Sequence, residues 1–200
     1  MRERWLWLAP GLPAAVLAVL ILYVLPPQQT LGNVLDWAFR LSPFVLGVVT
    51  VALLPRWRFG PGLLLAAVVF YMGFLDTGMV VRILRFSAGR GQFEAIYQWS
   101  LLTVTFVVLF GLLAYRMAGA ATASVLRSGI AAVLVVISGL NDLTFWALYD
   151  WPNGRPARLD WASHIIVFVG GPPTVATAVV FAAVHLVLAV AVLLAPWRTV

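Results

Sequence analysis

The sequence predicts an all-α, polytopic integral membrane protein with six transmembrane helices, and three observations carry that reading. Hydrophobic residues make up 63% of the chain and charged residues 10%, against about half and about a quarter in an ordinary soluble domain. Six apolar stretches reach the roughly 20 residues that a helix needs to cross hydrocarbon. Every tryptophan falls near an end of one of those stretches, where indole rings prefer the headgroup level. Strands of a membrane barrel would instead be about ten residues long and alternate in polarity. With short connections and no internal repeat, one membrane-embedded helical domain over residues 1–200 is expected.

The first stretch, 5–25, opens as "MRERWLWLAPGLPAAVLAVLILYVL". It has the basic start and apolar run of a signal peptide. "PPQQT" follows without a small-residue cleavage pattern, so it reads as the first membrane helix. The second, 35–54, follows "GNVLDWAFR". Asn33 suits the cap position, with Asp36 three residues on, close to a capping box. Asp36 also precedes Arg40 by four, the favourable order for an ion pair. The third stretch is 61–84 and the fourth 96–115, where Glu94 suits the positive end of the helix dipole. The fifth, 126–148, carries "SGLNDLTFWALYD". The sixth is 173–194, with proline suited to its first turn. Before it, "LDWASHIIVFVGG" is too short to span. It is expected to form an interfacial or re-entrant helix, which Asp160 could cap.

Composition removes several chemistries. There is no cysteine, hence no disulfide, thiolate metal site or iron–sulfur cluster. No lysine is present either, so a retinal or pyridoxal Schiff base is excluded. Haem would need both histidines, His164 and His185, from one segment and its neighbour, which disfavours it. The net charge of +6 comes from arginines placed mostly at span ends. Topology explains them better than nucleic-acid binding does. With both termini inside, Arg2, Arg4, Arg56, Arg58, Arg116, Arg127 and Arg198 lie within. Arg85, Arg90, Arg155 and Arg158 lie outside, with Arg40 and Arg82 just inside helix ends. The excess favours cytoplasmic termini in a cell membrane.

Ionisable groups inside a span are costly and are functional candidates by default. Asp142 precedes Asp150 by eight residues, which puts it about 12 Å inside the span end. Asn141 stands beside it. Two readings are open for the pair: interhelical glue or a ligand, ion or proton site. Asp76 lies six residues before Arg82, about 9 Å deeper. His185 is about 20 Å along the last helix from Pro173. It shares a stripe with Thr174, Thr177 and Phe181. His164 is expected at the outer surface. Arg82, Arg85, Arg155 and Arg158 form a basic outer set whose default is snorkelling to headgroups, with an anionic lipid as the alternative partner.

Together these residues predict an outward-facing polar site of Asp76, Asn141, Asp142, His164 and His185. Its ligand would be a cation, a proton or a small polar molecule. A transporter or channel-like role is the first function that fits. A membrane enzyme acting on an anionic lipid or prenyl-type substrate is the second, with the carboxylates and His164 in acid–base or metal chemistry. No HExxH, GxSxG or DDxxD motif is present. A non-catalytic subunit of a larger membrane assembly, or a homo-oligomer, is the third.

Overall fold

The computed structural model describes residues 5–27, 30–55 and 59–196, and these are mainly helical, with no named strand among them. In order they form α1 (Leu8–Val19), a π-helical turn (Leu20–Val24), α2 (Val34–Leu53) and α3 (Gly60–Phe70). A second π-helical turn (Tyr71–Asp76) leads into α4 (Thr77–Ser87), followed by α5 (Phe93–Met117) and α6 (Thr122–Val136). Then come α7 (Leu140–Leu148), α8 (Ser163–Val169) and α9 (Val175–Leu194). Four helical runs are long and apolar enough to cross a membrane: Val34–Leu53, Gly60–Ser87, Phe93–Met117 and Val175–Leu194. The pair α6 and α7 makes a fifth if it is counted as one span bent by 40°. The expected stretch at 5–25 corresponds to a shorter apolar helix, Leu8–Val24.

The contacts divide the described chain into two units. The first contains residues 5–27, 42–55 and 59–129. Its core includes Phe44, Val48, Val51, Ala52, Leu112, Leu113 and Val125. Two helices in this unit contain a π turn, and one helix secures both. Gln98 Nε2 donates to the Ile21 carbonyl at 2.7 Å, and Trp99 Nε1 donates to the Leu75 carbonyl at 2.8 Å. A π turn widens the hydrogen-bond ladder, and here a carbonyl in each receives a side-chain donor from α5. Trp99 is 3% exposed and packs against Gly78, where any added Cβ would clash with the indole. The absent side chain is therefore what lets α4 meet α5. Arg116 binds just past two helix ends, donating through Nε to the Leu54 carbonyl at 2.8 Å and through Nη1 to the Ala120 carbonyl at 2.7 Å.

The second unit contains residues 30–41 and 130–196. It begins with the local structure that its spacing predicts. Asn33 Oδ1 accepts from the Asp36 amide at 2.9 Å, and Asp36 Oδ1 accepts from Arg40 Nε at 3.0 Å. The expected fifth span, continuous over 126–148, is instead interrupted at residues 137–139. Ser138 is fully buried; its hydroxyl donates to the Val135 carbonyl at 2.7 Å and accepts from the Leu140 amide at 3.2 Å. Gly139 follows at φ +78°, a conformation that ends helices and costs other residues strain. An added Cβ there would also come within 2.7 Å of Ile165 Cδ1.

Around the break, Leu159, Ala162, Ile165 and Ala178 form a small core with Leu143, Trp161, Val175 and Phe181 against it. Two starts differ from expectation. Helix α8 begins at Ser163 after Ala162, with no side-chain cap, so Asp160 does not cap it. Helix α9 is capped by Thr174, whose hydroxyl accepts from the Thr177 amide at 3.1 Å, and the prolines stand ahead of the cap.

Candidate functional site

The break explains why Asn141 and Asp142 sit where they do. They belong to the first turn of α7, the start of a new helix and not the middle of a long one. Helix starts carry unsatisfied amides and a partial positive charge, which favour a carboxylate. The two side chains diverge from there. Asn141 is exposed, whereas Asp142 is 5% exposed and faces α8.

Three buried polar atoms meet at Asp142. His164 Nε2 stands 3.5 Å from Asp142 Oδ2, with side-chain exposures of 14% and 7%. The Trp161 indole N–H also acts on the Asp142 carboxyl. None of these three atoms, Asp142 Oδ2, Trp161 Nε1 and His164 Nε2, completes a hydrogen bond. An unsatisfied buried group typically costs about 1–3 kcal/mol, and native folds hold few of them. Their characters are complementary. A carboxylate accepts, an indole donates, and an imidazole does either.

His164 lies on α8, outside the long apolar helices. Burial, and then the charge of His185, push its pKa down to about 4. Its imidazole is therefore neutral at pH 7 and keeps one lone pair to offer. Phe181 connects it to the second histidine: its ring centre is 6.4 Å from His164 and 4.3 Å from His185. His185 is half-buried, and its Nδ1 lies 2.8 Å from the Phe181 carbonyl. On the other side of Trp161, the rings of Phe145, Tyr149 and Trp151 form a continuous cluster, with Trp151 stacked on Trp161 at 5.2 Å.

Of the residues singled out from the sequence, the second unit brings Asp142 and His164 together and places His185 one ring away. Asp76 belongs to the first unit, at the end of its π turn, and is exposed. Two of the basic residues are committed locally. Arg155 Nη2 donates to the Ala147 carbonyl at 2.8 Å, and its guanidinium stands 5.3 Å from the Trp146 ring centre. Arg158 Nη1 donates to the Pro172 carbonyl at 2.8 Å. Arg82 lies over Trp99, and Arg85 is exposed in the last turn of α4.

Trp161 is the residue that sequence reasoning missed, because an indole near a span end reads as a headgroup anchor. Ser138 and Gly139 did carry a signal: glycine past a helix end, followed by Asp in a new first turn, is a stop and restart. Among the described residues, no group of three or more His, Cys, Asp or Glu is placed to hold a metal ion. Comparison of the chain with protein-family models, curated proteins and solved structures finds no match.

Proposed function

We propose that this chain is an integral membrane protein of six crossings. Its Asp142–His164–Trp161 cluster binds a proton, or a small solute that both donates and accepts hydrogen bonds, in a transport cycle. The six crossings are the four long runs, the bent pair α6–α7 and the short helix Leu8–Val24. At 17 residues the last of these is about 25 Å long, somewhat short of a hydrocarbon core of roughly 30 Å. In this reading the membrane is a cell membrane and both termini are cytoplasmic. The orientation rests on the arginine distribution; Arg2, Arg4, Arg56, Arg58 and Arg198 lie outside the described residues.

One observation supports the site above others: three buried, complementary polar atoms converge without satisfying one another. A purely structural tie between helices would close its hydrogen bonds, because an open one weakens the fold. Groups left open are suited to an occupant that comes and goes. The position supports the same reading, since interrupted helices place helix ends and free polar groups at the binding sites of many transporters.

Reconstitution into liposomes loaded with a pH-sensitive dye tests it, under a potassium diffusion potential. The wild-type protein is expected to carry protons faster than protein-free vesicles. Asp142→Asn should return the rate to that baseline, and His164→Gln should slow it while leaving the protein folded. An Asp142→Asn protein as fast as wild type sinks the reading.

A further inference from the structure

A second polar arrangement, in the first unit, differs from an ordinary interfacial arginine. A snorkelling arginine extends toward the nearer helix end and leaves its head in water. Arg82 does the reverse. It lies five residues before the end of α4 at Ser87, yet its Nη1 donates back one turn to the Gly78 carbonyl at 3.0 Å. Its guanidinium carbon rests 3.6 Å from the centre of the Trp99 ring. Trp99 is itself fixed, by its bond to the Leu75 carbonyl and by its packing on Gly78. The cation is thus held in one orientation by a clamped aromatic face and a backbone acceptor.

Among the described residues, no carboxylate forms an ion pair with Arg82. The titratable neighbours that act on it are Tyr23, a phenol on the first π turn, and Arg85, a second cation. Tyr23 and Arg85 are both exposed. A guanidinium has five N–H donors, and here one bond to Gly78 uses one of them. The rest of the fork stays open. A planar fork of that kind matches the oxygens of a phosphate bidentately.

We propose that Arg82, stacked on Trp99 and flanked by Tyr23 and Arg85, is a binding site for a phosphate group. The group belongs either to an anionic lipid headgroup or to a free phosphate anion. The site is independent of the cluster at Asp142, so either can fail without the other.

The test uses full-length protein in detergent, stripped of lipid. Native mass spectrometry measures binding of phosphatidylglycerol and of phosphatidylcholine, and a thermal shift series measures inorganic phosphate alone. Phosphatidylglycerol binding in preference to phosphatidylcholine, weakened on the order of tenfold in Arg82→Gln, supports the site and identifies a lipid. A shift with inorganic phosphate that shows the same dependence on Arg82 supports it and identifies a free anion. Arg82→Lys retains the charge and serves as the folded control. It is expected to bind several-fold more weakly than wild type, because an ammonium lacks the stacked fork. Binding of both probes that is equal in wild type and Arg82→Gln, or absent from wild type, overturns the proposal.

Discussion

The two units interrupt their apolar helices in different ways. In the first, each π turn gives a carbonyl to a donor on α5, so Ile21 and Leu75 are both satisfied. In the second, Ser138 and Gly139 satisfy the backbone at the break, but the side chains beyond it remain open. Asp142, Trp161 and His164 approach one another and stop short. The difference separates two purposes for a polar group in an apolar helix. A closed bond stabilises a shape, whereas an open, buried set weakens the fold, which on the proposed reading is the cost of a site that receives a solute.

Substitutions can break this contrast. The largest effect is expected at the break itself. Gly139→Val imposes a branched side chain at φ +78° and drives a Cβ toward Ile165. The loss should be about 4 kcal/mol, read as a fall in the thermal midpoint in detergent. A protein of unchanged midpoint would mean the turn does not set the fold.

Acidification should act on the second unit. His164 has a folded pKa of about 4 against an ordinary 6.5. Between those values the unfolded chain binds a proton that the folded chain does not. The contribution of His164 to stability is therefore complete above about pH 6.5 and is lost as pH falls toward 4, by on the order of 3 kcal/mol in full. Asp142 and His185 are the titratable groups that face or act on this imidazole. Thermal midpoints of wild type and His164→Phe, measured across that range, should diverge. Parallel curves would remove His164 as the cause.

The sharpest comparison is between two tryptophans. Trp99→Phe removes a donor in use and orphans the Leu75 carbonyl, at a cost of about 1–2 kcal/mol. Trp161→Phe removes a donor that acts on the Asp142 carboxyl without completing a hydrogen bond. It should be neutral or stabilising, by less than about 1 kcal/mol, while impairing proton movement in the liposome assay. If Trp161→Phe destabilises as much as Trp99→Phe, the two regions are alike and the contrast fails.

Hydropathy revealed the long helices because length and apolar content are properties of a run of residues. It placed α2, α5 and α9 near their observed bounds. It read 126–148 as unbroken because isoleucine, serine and glycine at 137–139 do not interrupt apolarity; they interrupt backbone geometry. Both π turns were invisible for the same reason, since an extra residue in a turn leaves composition unchanged. Asp142 and His164 could each be singled out by charge inside an apolar context. They could also be grouped in one polar site with Asp76, Asn141 and His185, but the direct approach of this pair depends on how the loop at 149–162 returns to α7, and no periodicity encodes that. Trp161 was hidden by its own ambiguity, as an amphipathic ring suits a headgroup and a buried donor site equally.

Gln98 and Trp99 are neighbours on α5, and each holds a different helix by its loosened turn. Successive residues on a helix point about 100° apart, so one short stretch serves as a post with two tethers. The two π turns are therefore anchored to a shared support, and a substitution that displaces this stretch of α5 reaches both.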